Sequence, residues 1–184
     1  MPPAVDEERR RAGHAAQVGA VDVFRDGRGS SVLAQLAGES VDVCTEIVIA
    51  RPRSEVAVYA SDPENATAWY ENIESVEWHS PKPLAVGSRI AFVARFLGRR
   101  LSYTYEVETL APGERLVLRT ADGPFPMETT YTWEDSPSGG TRMTLRNRGE
   151  PAGFSKLAAP MMAAAMRRAN RKDLARLRVL LEAP

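Results

Sequence analysis

From Val41 to Ile49, apolar or β-branched side chains recur at every second position. Val41, Val43, Thr45, Ile47 and Ile49 alternate with Asp42, Cys44 and Glu46. A period of two puts one set on a core face and the other in water, so the segment predicts a half-buried strand. Pro52 ends it. Ser54 is placed to cap a short helix carrying Val56, Val58 and Tyr59. Asp62-Pro63-Glu64 is a stronger helix start. Asp accepts from free amides, Pro suits the first helical position, and Glu opposes the positive helix end. This second helix is expected to carry Trp69 and Tyr70 before the chain turns into Ile73–His79.

Four or five long strands follow, separated by recognisable turns. Gly87 precedes Ser88–Leu97, where Ile90, Phe92, Ala94 and Phe96 share a face. Gly98-Arg99-Arg100 is a tight hairpin into Leu101–Leu110, whose Leu101, Tyr103, Tyr105 and Val107 share a face. Pro112-Gly113 turns into Arg115–Ala121, with Leu116, Leu118 and Thr120 together. Gly123-Pro124 leads to Met127–Trp133, aligning Met127, Thr129, Tyr131 and Trp133. Ser138-Gly139-Gly140 then leads to Thr141–Asn147, aligning Thr141, Met143, Leu145 and Asn147. Links this short join sequential neighbours, which predicts an antiparallel meander.

The period then changes. From about Phe154 to Glu182, Met162, Met166, Asn170, Leu174, Leu177 and Leu181 follow spacings of three and four, the stripe of one long amphipathic helix. Arg167, Arg168, Arg171, Lys172 and Arg178 fall mostly elsewhere on that helix. A lone helix after a run of hairpins buries its stripe against the sheet. A strongly curved sheet gripping it leaves a lined hollow. Gly153 and Pro160 bracket the helix entrance, as a kink or a hinge for ligand entry.

Residues 1–40 show only weak periodicity, with a short helix suggested near Ser31–Leu36. They read as a disordered or weakly ordered extension ahead of one domain at 41–183. A length of 184 residues with 43% apolar composition fits that division. Net charge is zero, but the closing helix is basic and the body acidic. A solvated helix face explains this, as does attraction to an anionic surface. A single cysteine, Cys44, excludes an internal disulfide. No run approaches the roughly 20 apolar residues of a membrane span, and no apolar leader core is seen. The expectation is a cytoplasmic protein without integral membrane association, monomeric or homodimeric.

The order of these features resembles the START-like, helix-grip superfamily, often labelled SRPBCC. Ile47-Val48-Ile49-Ala50-Arg51-Pro52 followed by Asp62-Pro63-Glu64 and Trp69 looks like its opening. Val86-Gly87, Gly98-Arg99, Glu106-Val107, Pro112-Gly113, Gly123-Pro124, Gly140-Thr141 and Leu174…Leu177…Glu182 continue it. The match is closest to the polyketide cyclase/dehydrase and lipid-transport branch, over about residues 41–183. It implies an α+β fold: a curved seven-stranded antiparallel sheet around a long C-terminal helix, with two short helices after the first strand. Members hold apolar molecules such as lipids, hormones or polyketides, and some cyclise or dehydrate polyketides. The branch has no invariant catalytic motif, so the resemblance supplies no catalytic residue and no cofactor.

Candidate chemistry is sparse. His14 lies in the extension and His79 beside a strand end, so neither is a convincing base for a nucleophilic triad. Two distant histidines and one cysteine make no metal set. Gly139-Gly140-Thr141 lacks the lysine and spacing of a phosphate loop. No basic strand is studded with aromatics, which argues against nucleic acid. What remains is an inward set of ten candidate ligand contacts: Phe92, Tyr103, Tyr105, Met127, Thr129, Tyr131, Met143, Met162, Met166 and Asn170. In an apolar hollow a few hydroxyls orient a ligand's oxygen, or donate a proton to a carbonyl. The same tyrosines are equally at home as core residues. Methionine suits either a variable pocket or an irregular core gap. Trp69 is expected to anchor the cavity mouth, and Arg95 to face outward. Three functions stay open: a binder of a small apolar molecule (lipid, polyketide, or another aromatic or isoprenoid), a cofactor-independent cyclase in the same cavity, and a module meeting a partner or membrane through the basic helix.

Overall fold

The computed structural model describes residues 40–150 and 159–184. The expectations for 1–39, the entrance to the last helix and Gly153 lie outside the described residues. Strand β1 (Val41–Ile49) leads to helix α1 (Arg53–Ser61), a 3-10 turn (Pro63–Asn65) and helix α2 (Ala66–Trp69). Strands β2 (Ile73–Trp78), β3 (Arg89–Phe96), β4 (Arg99–Ala111), β5 (Arg115–Asp122), β6 (Met127–Asp135) and β7 (Thr141–Gly149) follow, then helix α3 (Ala159–Glu182). The result is a helix-grip architecture.

All seven strands form one curled antiparallel sheet in the order β1-β7-β6-β5-β4-β3-β2. The strands from β2 to β7 form a meander, as the short turns require. Only the step from β1 to β2 crosses between the sheet's two edges, and α1 and α2 carry it. Register shifts between Thr104/Tyr105 and Val107/Thr109 fall on β4 opposite β5, where bulges increase bending.

The helix starts differ from the sequence reading in detail. Pro52, not Ser54, occupies the cap position of α1, and no side chain caps it. The Asp62 side chain does accept from the Glu64 N–H at 3.0 Å, but the turn it starts is 3-10 before it becomes α2. Gly140 ends the last hairpin at φ +76°. A Cβ there would stand 2.2 Å from the Ile49 carbonyl oxygen, so the β1 backbone approaches as only glycine permits.

The main core draws on β1 and on every strand from β3 to β7. Leu174 and Leu177 of α3 pack there with Ile49, Val56, Trp133, Met143 and Leu145, all essentially inaccessible. Burying each such leucine contributes about 1.5–3 kcal/mol. Hydrogen bonds fix the far end of α3. The Arg51 guanidinium donates to the Leu181 and Ala183 carbonyls at 2.6 and 3.1 Å, and the Ala50 N–H donates to Glu182 at 2.7 Å. A cation at a helix C-terminus satisfies orphan carbonyls and opposes the negative dipole end. The first half of α3 meets a smaller cluster instead, where Met162 packs with Val41 and Val43. No helix among the described residues is long and apolar enough to cross a membrane.

Candidate functional site

Between the sheet and the first half of α3 lies a cavity of about 160 Å³. Alternation along β4 puts Tyr103 and Tyr105 on one face, opposite Phe92 and Ile90 of β3. The Phe92 and Tyr103 rings stack with centroids 5.6 Å apart, and Tyr103 meets Tyr105 edge-on at 5.0 Å. Strand β6 adds Met127, Thr129 and Tyr131, and α3 adds Met162, Met166 and Asn170. Gly123 lets the link between β5 and β6 pass beside Tyr103, with its Cβ position 3.0 Å from the Tyr103 Cβ.

Nine of the ten candidate residues therefore line one cavity, and Met143 does not. Met143 shares its strand face with Asn147, but it sits toward the end of β7 covered by the second half of α3. There it is fully buried in the leucine core. Trp69, expected at the mouth, is likewise buried; it forms part of the inner wall. Arg95 is exposed and paired with Glu74, as expected of an outward residue. Charged side chains, including Asp62, Arg99, Glu128 and Arg148, flank the cavity where it approaches the surface.

Two sets of polar contacts run through this apolar space. In the first, the Tyr70 and Tyr131 hydroxyls meet at 2.5 Å. In the second, Asn170 Nδ2 donates to Asn147 Oδ1 at 2.7 Å, and Asn147 Nδ2 donates to Thr129 Oγ1 at 3.0 Å. Thr129 Oγ1 lies 2.9 Å from the Tyr105 hydroxyl. Burial pushes the Tyr105 hydroxyl up to about 12, offset by its contact with Thr129. Burial also raises Tyr70, Tyr103 and Tyr131 above the usual phenol value. All four are thus protonated donors at neutral pH.

Beside this set, Asp173 of α3 is 2 % exposed and accepts the Glu71 N–H at 2.9 Å. Burial pushes its carboxyl up to about 6, while the Glu71 amide pulls the other way. Its charge raises Tyr70 and Tyr131 further. Sequence reasoning missed Tyr70, Asn147 and Asp173 as site residues. Asn147 and Asp173 had a signal: each interrupts an apolar stripe, Asp173 continuing the spacing from Met166 and Asn170 to Leu177. Tyr70 follows α2 in extended backbone, where no period applies.

The arrangement can hold an apolar body and hydrogen-bond its oxygens. Among the described residues it brings together no nucleophile with an adjacent base. His79 stands beyond β2, exposed beside Glu77. Among the described residues no cluster of His, Cys, Asp and Glu could hold a metal.

A curled antiparallel sheet closing on one long helix over an apolar cavity defines the START-like, helix-grip class of folds. The sequence model for polyketide cyclase/dehydrase and lipid transport proteins matches residues 40–182, and the chain belongs to that family. No curated protein matches the sequence. Among solved structures, TTHA0849 from Thermus thermophilus is similar at 23% identity and a TM-score of 0.67, covering 78% of this chain and 99% of that one. The Zhui aromatase/cyclase from Streptomyces sp. R1128 gives 15% and 0.65, covering 78% and 94%. A START superfamily protein from Mycobacterium smegmatis gives 15% and 0.65, covering 76% and 98%. At these identities the likeness is one of fold.

Proposed function

We propose that this chain is a carrier that sequesters a small, largely apolar molecule between the sheet and the first half of α3. The cavity carries this reading: apolar and methionine walls enclose about 160 Å³, with hydroxyls at a few points. A dry cavity of about 150 Å³ accepts benzene, so a one-ring or compact two-ring body, or part of a larger one, suits it. The free, exposed thiol of Cys44 suits a reducing compartment and supports a cytoplasmic setting. Native mass spectrometry with displacement of an environment-sensitive dye tests the proposal. One apolar molecule taken up per chain is expected. A protein that takes up no apolar probe overturns it.

One observation favours a second reading, a cofactor-independent cyclase. Four tyrosine hydroxyls, Tyr70, Tyr103, Tyr105 and Tyr131, are held protonated at one apolar site. A poly-ketone chain folded there would meet hydrogen-bond donors placed to polarise its carbonyls for aldol-type closure. Replacing the key tyrosine by Phe is then expected to remove turnover and leave binding. Failure to form cyclised product above the spontaneous background discards this reading.

A further inference from the structure

The chain of contacts from Asn170 to Tyr105 can be followed proton by proton, and one of its two senses selects a ligand. An amide nitrogen has protons and no lone pair to offer, so Asn147 Nδ2 donates to Thr129 Oγ1. Thr129 Oγ1 carries one proton of its own, and its other hydrogen-bond partner among the described residues is the Tyr105 hydroxyl. Given to Tyr105 Oη, 2.9 Å away, that proton is satisfied, which is one of the two senses this contact allows. Tyr105 then accepts within the wall, and its own proton is left for the cavity. Two residues away on the same face, the Tyr103 hydroxyl has no hydrogen-bond partner among the described residues. It is a second donor. Donors in series polarise one another, and the half-buried Tyr103 hydroxyl faces the same space.

We propose that the cavity contains a carbonyl subsite, in which Tyr105, oriented by Asn170, Asn147 and Thr129, donates to a ligand ketone oxygen with Tyr103 beside it. This rests on the reading that the cavity binds an apolar molecule, and it narrows that molecule to an aryl or cyclic ketone. Thr129 is a positioning residue here: it acts through Tyr105.

Acetophenone, α-methylstyrene and 1-phenylethanol are suitable probes, being one ring bearing C=O, C=CH₂ and CH–OH in turn. Dissociation constants are measured for all three on the full chain and its variants. Carbonyl-¹³C acetophenone adds a direct readout, because a hydrogen bond to the oxygen moves the carbonyl carbon downfield. In the unaltered protein the bound carbon is expected well downfield of its position in hexane. Tyr105→Phe is expected to weaken acetophenone relative to α-methylstyrene by about 3- to 10-fold, the worth of one hydrogen bond. Thr129→Val is expected to move the ¹³C signal part of the way back, and Thr129→Ser to restore it.

A hexane-like carbonyl signal in the unaltered protein overturns the inference without any variant. So does an unchanged ketone-to-olefin ratio in Tyr105→Phe and Tyr103→Phe while both probes bind, although the carrier reading then survives. If the alcohol is preferred over the ketone, the chain runs in the opposite sense and the carbonyl subsite falls. If none of the three probes binds, the carrier reading falls with it.

Discussion

The two halves of α3 lie on the same sheet and do different work. The second half is leucine: Leu174 and Leu177 vanish into the main core, and Arg51 and Glu182 tie its end to the β1 exit. The first half is methionine and alanine, with Met162, Met166, Ala169 and Asn170 along the cavity. Branched side chains with few rotamers fill a fixed space, whereas unbranched thioethers adapt to a changing one. One helix thus combines a rigid anchor with an adaptable wall. The boundary falls between Asn170 and Leu174.

Leu177→Ala is the largest test of this division. It removes a fully buried side chain from a space with no room to relax, at an expected cost of about 2–5 kcal/mol. Chemical denaturation measures it. A loss as small as that from truncating a cavity methionine would erase the distinction between the halves.

Asp173 stands at the boundary and makes it pH-sensitive. Its carboxyl titrates near 6 in the folded chain against an ordinary 3.8. The folded state therefore keeps the proton longer than the unfolded state, and stability from this group falls as pH rises from about 4 to 6. Asp173→Asn cannot ionise, and its amide oxygen can still accept from Glu71. The variant's advantage over the parent is expected to grow across that window, to about 1–3 kcal/mol by pH 7. Asp42 and Glu74, both held low by arginines, produce the opposite trend in both proteins, so it cancels in the difference. Paired melts from pH 4 to 7 read it directly. A constant offset would show that Asp173 is not ionising in that range.

Arg51→Met tests the anchor itself. Losing two guanidinium contacts to the Leu181 and Ala183 carbonyls is expected to cost about 1–2 kcal/mol. Amide exchange should rise first in the last turn of α3. Faster exchange spread evenly along the helix would mean that the end is not separately held.

Much of this was written in the alternation. β1, β4 and the α3 stripe declare their faces, and nine of ten inward candidates reached the cavity because the face is what period reports. Period does not report depth along an element. Met143 and Asn147 share a face of β7, yet α3 covers one with leucine and meets the other with Asn170. Contacts between distant residues were equally silent. The Asn170–Asn147 bond joins two elements whose meeting depends on how the sheet curls, and Asp173 meets Glu71 across 102 positions of chain. The turns chose the fold, since each needs its glycine or proline. The site depends on where the helix comes to rest.

The smallest effect is the sharpest for function. Met166 is partly exposed and borders space that is already open, so Met166→Ala is expected to cost about 1 kcal/mol or less. It enlarges the cavity under the first half of α3 without touching the leucines. Affinity should then shift from one-ring toward two-ring apolar probes, with the denaturation midpoint nearly unchanged. Val56→Ala, a comparable truncation in the main core where Val56 is fully buried, should lower the midpoint and leave probe preference alone. If Met166→Ala left the order of probe affinities unchanged, the first half of α3 would be ordinary core with a gap in it, and the adaptable wall would have to be sought on the sheet.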